Sequence, residues 1–532
     1  MPRLLLLVLG AVALALVVAI PIVRRHKQAE IGMTNRHGVR AAFAAATAIL
    51  IGDNPAMAAP PTTIGVSLSA PVYYVKTRAL ANLAAAASWG ASDHRPITSS
   101  DVDKDGNLKR IPDGVTLYRL MTFPNVSART ATIRCTWKGK GVFKPGGRRV
   151  QNVSQRPGAF TFTLNNDHTA IQGGNVMLGI ASMDPSDPIR DIDCREAEMP
   201  VGARFDPQFL DSLRGFKILR FMDWQRSNNN APVTWATRHL PKGIDTTNAD
   251  GIAIEDMIAL AKQAGTDAWF NMPWNADDDY YERFARMVHD TLPADRTVYV
   301  ELANEVWNLA FPVSRQAIQE GRSSNLSSND VLAGRYRYAE KTAHVMDIWA
   351  KVYADRRGKL VRVAACQNGS GCAKQVLGFR DTASHVDALA TAPYFGNGLN
   401  KEPFTTPDQV FERLGAEIDR ATNYALEAKA VAAQYGKRYI AYEAGQSLIY
   451  RNQPLEEQVQ RDARMYDAYK RYLETWRTKI GDTLILYNSS GSISRYGAWG
   501  LIEYIGQPLS EAPKMRAVRE QLPLSAAKEL AH

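Results

Sequence analysis

The sequence predicts an α/β protein: a (β/α)8 barrel, the TIM-barrel architecture, carrying an inserted antiparallel β-sandwich domain. Three observations lead there. Eight apolar runs, each followed by a helix-forming stretch, recur along the chain, and eight parallel strands close a barrel. Between the first and second of them, over residues 102–200, the rhythm lapses into short alternating strands separated by turn residues. Two of the apolar runs, residues 298–308 and 438–446, end abruptly on carboxylates, amides and aromatics. The carboxyl ends of barrel strands are where catalytic groups sit.

At 532 residues the chain is too long for one ordinary core, so two domains behind a targeting segment are expected. Residues 59–101 would form the first β/α unit, 102–200 the inserted domain, 201–510 the rest of the barrel and 511–532 a tail. The formal charge of +10 falls to +6 without residues 1–58, which hold six Lys/Arg and two acids. No basic block is left to track a phosphate backbone, so nucleic acid is not an expected partner. The sequence contains no P-loop, dinucleotide fingerprint or internal repeat, and no cofactor is expected.

The N-terminus has two hydrophobic segments. Residues 4–23 are long enough to span a bilayer and precede Arg24-Arg25-His26-Lys27. After Met33 come a short basic region, an apolar stretch over 41–52 and Ala56-Met57-Ala58, the pattern of a signal peptide cleaved after Ala58. Either Met33 is the true start, or residues 4–23 anchor the chain at the inner membrane. Both readings export the body, to the periplasm or beyond. The even set Cys135, Cys194, Cys366 and Cys372 suits that compartment as two disulfides. Cys366 and Cys372 would close a local loop, and Cys135 and Cys194 would bracket the inserted domain. Four buried thiols are the alternative.

Taken in order, residues 63–68 are the first barrel strand, with Tyr73 and Tyr74 at its end and a helix expected over 78–88 near Trp89. Strands are then expected at 115–120, 131–137, 159–164 and 176–180, with turns at 139–147 and 165–167. The barrel resumes with strands at 216–224 and 268–274, a helix over 254–264 stopped by Gly265, and Asp277-Asp278-Asp279 before another helix. That triplet reads as an N-cap with acids favoured by the helix dipole rather than a metal site. After the 298–305 strand come a helix at 335–356, strands at 360–365, 386–391, 438–443 and 483–488, and helices at 407–435 and 455–476. The count is eight, with Glu305 ending the fourth strand and Glu443 the seventh. One such glutamate alone would be no more than a cap or an ion-pair partner; two at strand ends among aromatics suit acid/base and nucleophile.

The runs 219–224, 276–280, 304–308 and 442–446 resemble clan A glycoside hydrolases, and within them a little-characterised group often labelled cellulose-binding. The likeness covers residues 63–507. It implies a retaining mechanism with Glu305 as acid/base, Glu443 as nucleophile and Asn304 holding the sugar's 2-hydroxyl. It also implies supporting roles for Arg220 and Tyr394 and a sugar platform at Trp499. Trp224, Trp274 and Trp307 are further platform candidates by strand-end position, with Asp223 beside them. Glu301 competes for the acid/base role by strand alternation but lies deeper. One departure stands out: where the clan carries His after the third strand, this chain reads Pro273-Trp274-Asn275. The expected partner is therefore a β-glucan-like polysaccharide, hydrolysed or transglycosylated. A carbohydrate-binding barrel without catalysis is the alternative. N-terminal sequencing of the mature protein should begin at Ala59; recovering residues 1–32 would favour the anchor instead.

Overall fold

Strands buried on both faces must be apolar in both directions, and the barrel shows how the two directions are used. In a computed structural model, eight parallel strands close a barrel: Thr63–Ser67, Ile218–Arg220, Asp267–Met272, Val298–Leu302, Leu360–Cys366, Ala388–Thr391, Arg438–Ala441 and Thr483–Leu486. The structure describes residues 62–523 apart from 74, 76, 122–129, 148, 165–175, 201, 249–250 and 451. Closure pairs Thr63 with Thr483 and Val66 with Leu486. Alternation sends Ile218, Trp269, Tyr299, Val363, Ile440 and Ile485 into the barrel, where they form one cluster. Trp269 and Tyr299 stack there at 5.1 Å. Val298, Val300 and Leu302 point outward into the larger core beneath the helices.

The helix Ile254–Ala264 stops where expected, because Gly265 takes a left-handed φ of 68° that a side chain would resist. Asp277 caps the helix Asp278–Thr291, its carboxylate accepting from the Tyr280 amide at 2.8 Å. Pro312–Ser323, Asp330–Val352 and Pro407–Gln434 follow. Three expectations change. The stretch 78–88 is not a helix but a single short turn, Leu83–Ala86, and Trp89 begins an antiparallel strand with its indole N–H donating to the Gly106 carbonyl. The stretch 455–476 is two helices, Gln453–Arg461 and Arg464–Thr475. They part at extended Asp462, whose carboxylate accepts from the Arg464 amide. Within the expected tail, helix Pro513–Arg519 forms and buries Met515 and Val518.

Between the first two barrel strands lie two four-stranded antiparallel sheets. One contains Trp89–Ala91, Leu117–Leu120, Met177–Met183 and Gly141–Gly146; the other contains Val150–Arg156, Ala159–Leu164, Ala131–Lys138 and Arg190–Glu196. Their inward residues, Phe143, Leu178 and Ile180 from one and Ile133, Phe160 and Phe162 from the other, share one apolar cluster. The 139–147 stretch, expected as a turn, turns only at its start. Gly139 has φ 87°, and a Cβ there would lie 2.2 Å from the Pro188 carbonyl oxygen, while 141–146 pairs as a strand. The expected turn at 165–167, the signal peptide, the membrane segment and residues 524–532 lie outside the described residues. Among those described, no helix is long and apolar enough to cross a membrane.

Both expected disulfides are present. Cys135 and Cys194 face each other across paired strands, and Cys366–Cys372 closes the end of the fifth barrel strand onto helix Ser370–Leu377. Their loops differ, with sequence separations of 59 and 6. On loop-closure entropy the first restrains the unfolded chain by about 4 kcal/mol and the second by about 2 kcal/mol. Urea melts of the paired Cys→Ala variants should therefore show a larger loss for Cys135/Cys194 than for Cys366/Cys372.

Candidate active site

The carboxyl ends of the strands converge on one guanidinium. Arg220 ends the second strand, fully buried. Its Nη1 donates to Glu443 Oε1 at 2.6 Å and its Nη2 to Asn304 Oδ1 at 2.8 Å. Nε and Nη2 also donate to Glu301 Oε2, at 3.2 and 2.9 Å, and the Trp269 indole N–H joins them there at 2.9 Å. The group lies over the Tyr442 ring at 5.1 Å and near the Trp269 ring at 5.8 Å. Glu301 is thus a counter-ion on the barrel floor with no exposure, not a rival for contact with a ligand.

Glu305 and Glu443 sit in different settings. The fourth strand ends at Leu302, and Ala303 and Glu305 both adopt left-handed φ, 53° and 44°. Strand alternation therefore does not carry through to Glu305. Its carboxyl accepts from two neutral donors, Tyr442 Oη at 3.1 Å and Asn308 Nδ2 at 2.8 Å. Burial, and then the charge of Glu443, push Glu305 well above the usual carboxylate range. Glu443 instead accepts from Arg220 and from Tyr394 Oη at 3.0 Å. Burial holds the Tyr394, Tyr442 and Tyr487 hydroxyls well above their ordinary range, so all three stay protonated donors.

A third carboxyl completes the pit. Asp223 accepts from Tyr487 Oη at 3.1 Å, and burial with the Glu443 charge pushes it up to about 7. Tyr487 makes edge contacts with Tyr394 at 6.4 Å and with Trp499 at 6.0 Å. Trp499 is half-buried, its indole N–H reaching Ser447 Oγ at 3.4 Å. Trp307 is half-buried too and donates to Tyr442 Oη at 3.2 Å. Asn304 Nδ2 donates to Asn228 Oδ1 at 3.1 Å, which orients the amide.

Two expected tryptophans are not in the cleft. Trp224 is fully buried, donates to the Ser69 carbonyl, and packs among Phe205, Phe209 and Phe221. The chain turns directly after Arg220, so four residues on the indole faces the outer core. Trp274 is 1% exposed, bonded to Glu320 of helix Pro312–Ser323 and capped by Lys341. Asn275 likewise bonds outward, to Gln316 and Asn230. Tyr442, Tyr487 and Asn228 were not singled out from the sequence. The first two end strands seven and eight, a position that could have marked them; Asn228, eight residues past Arg220, carries no such signal. Among the described residues no group of His, Cys, Asp and Glu is placed to hold a metal.

No family model and no curated protein matches the chain. Solved structures do resemble it. A β-glucosidase from Thermotoga maritima, in complex with deoxynojirimycin, aligns at TM-score 0.35 and 10% identity over 60% of this chain and 85% of its own. An endo-1,4-β-D-mannanase from Thermotoga petrophila aligns at 0.32 and 15% over 58% and 94%. A glucosidase from Croceicoccus marinus aligns at 0.37 and 15% over 60% and 65%. At these identities the likeness is one of fold alone.

The placements of Trp224 and Trp499 can be told apart in solution. Trp224→Ala should cost about 3–5 kcal/mol of stability by opening a core cavity, with ligand affinity unchanged in the folded fraction. Trp499→Ala, which removes a half-buried ring, should leave the melting temperature within a few degrees, as read by calorimetry.

Proposed function

We propose that the protein is an exported retaining β-glycosidase that hydrolyses or transglycosylates a β-glucan-like polysaccharide. The observation that carries this is the division of labour between the two glutamates. One is held among neutral donors and kept protonated by burial; the other is paired with a guanidinium and a phenol. Two carboxyls given such different neighbours can supply an acid and a nucleophile from the same residue type. The two disulfides support export. The two antiparallel sheets, sharing one core, are read as a sandwich inserted after the first barrel strand.

In the proposed reaction Glu443 attacks the anomeric carbon while Glu305 gives its proton to the departing glycosidic oxygen. The bond to the leaving group breaks as the glycosyl–Glu443 ester forms. Glu305, now a carboxylate, then takes a proton from water or from an acceptor sugar hydroxyl, whose oxygen displaces Glu443 and restores both groups. In this reading Asn304, oriented by Asn228 and Arg220, holds the sugar's 2-hydroxyl, and Asp223 offers an acceptor to another hydroxyl. Trp307 and Trp499 flank the pit as platforms.

Glu443→Ala should abolish turnover, because no carboxylate remains to form the ester. Glu305→Ala should lower turnover of unactivated glycosides about 10²–10⁴-fold. It should spare substrates with activated leaving groups, and azide should restore part of the rate. The raised pKa of Glu305 sets the sign of the pH dependence. The protonated form is the working one, so kcat/KM falls as pH rises through that pKa, and this alkaline limb should vanish in Glu305→Ala assayed with activated substrates. A wild type that binds glycans but turns none over would overturn the enzymatic reading in favour of a binding protein. Activity that survives Glu443→Ala would overturn the site.

A further inference from the structure

We propose that Lys514, on the C-terminal helix Pro513–Arg519, is a positioning residue for the cleft, clamping the loop after Glu443 against the loop that carries Trp499. The proposal rests on the roles given above to Glu443 and Trp499, and extends them to a residue far outside the catalytic strands.

Lys514 is 5% exposed, where lysine is almost never found without a reason. Its Nζ donates to the Ala498 carbonyl at 2.6 Å and to Gln460 Oε1 at 3.0 Å. Ala498 immediately precedes Trp499. The same carbonyl accepts from Gln446 Nε2 at 2.8 Å, and Gln446 lies three residues past Glu443. Gln446 Oε1 in turn accepts from the Leu448 amide at 2.8 Å and from Gln460 Nε2 at 3.1 Å. Gln460 Nε2 also donates to Glu456 Oε1 at 3.0 Å, and Glu456 Oε2 accepts from the Tyr450 amide at 2.7 Å. Gln446, Glu456 and Gln460 are all buried. One ammonium and three side chains therefore close a buried network around residues 446, 448, 450 and 498.

Both ends of this network touch the cleft. Ser447, inside the clamped loop, accepts from the Trp499 indole. Its amide donates to the Phe395 carbonyl, and the Phe395 amide donates to the Gly445 carbonyl. Holding the helix down would need only apolar side chains, and Met515 and Val518 already bury there. A charged donor is costly at this depth: burial lowers the Lys514 pKa to about 8 and raises that of Glu456 to about 7. What the ammonium adds is direction, joining the Ala498 carbonyl beside Trp499 to Gln460 of helix Gln453–Arg461, whose side-chain amide holds Gln446 in the loop after Glu443.

The test is Lys514→Met, which keeps the volume and removes the donor, with Lys514→Gln as a second variant in case the first fails to fold. Backbone amide exchange over residues 446–450 and 498–501 should quicken about tenfold, since Ala498 and Gln460 lose a buried partner. KM for an oligosaccharide should rise by a similar factor, with kcat on a small activated aryl glycoside within about twofold. Combined with Trp499→Ala, the Lys514 change should add nothing further to KM, because both act through the same platform. Wild-type exchange in those segments, or fully additive effects on KM, would overturn the proposal. A wild type that neither binds nor cleaves any glycan would sink the functional reading alone, and exchange would still decide whether Lys514 clamps the loops.

Discussion

Arg220 is the group on which the pit depends. Its guanidinium is out of water and donates to Glu301, Asn304 and Glu443 together. A planar fork with fixed N–H directions can serve three acceptors at once, where a lysine ammonium would serve them only as a point charge. Burying a charge is tolerated only when its partners are equally well placed, and removing one partner of such a pair typically costs about 3–5 kcal/mol. Strand two therefore constrains strand four through Glu301 and Asn304, and strand seven through Glu443. The distance between the two halves of the site is set by the span of one side chain.

That arrangement also separates the two glutamates electrically. Glu301 lies on the barrel floor and shares Arg220 with Glu443. Glu305, raised out of the strand by two left-handed residues, accepts instead from the neutral donors Tyr442 and Asn308. Tyr442 is the hinge of this asymmetry. Its ring lies against the guanidinium while its hydroxyl donates to Glu305 and accepts from Trp307. Two carboxyls of the same chemistry are thus given different neighbours by one tyrosine that stands between them.

Much of this was legible in the sequence because barrel strands announce their ends. An apolar run that stops at Arg220, Asn304-Glu305 or Glu443 marks a change from core to mouth, and the structure brings those residues together. The tryptophans were harder to read. Trp224 and Trp274 sit as close to strand ends as Trp307 does, but the chain turns within a few residues, and which way an indole then faces is decided by long-range partners such as Ser69 and Glu320. Local spacing carries no record of those partners. The 78–88 stretch failed for a related reason: its alanines suit a helix, yet Asn82 spends its side chain on the Ala84 and Cys194 amides and the Ile192 carbonyl, tying the segment to the antiparallel sheets.

The C-terminal helix shows the same limit from the other side. Residues 511–532 read from the sequence as a tail, and a helix as short as Pro513–Arg519 is marginal in water by itself. Its stability comes from tertiary contacts: Met515 and Val518 in the core, and Lys514 bonded to residues 16 and 54 positions earlier in sequence. A buried lysine is expensive unless its donors are used, and here one donor goes to the Ala498 carbonyl beside Trp499 and another to Gln460 on helix Gln453–Arg461. The barrel's floor is thus organised by a guanidinium on the second strand, and its rim by an ammonium that arrives only after the eighth. Both are buried cations whose value lies in the geometry of the acceptors they join.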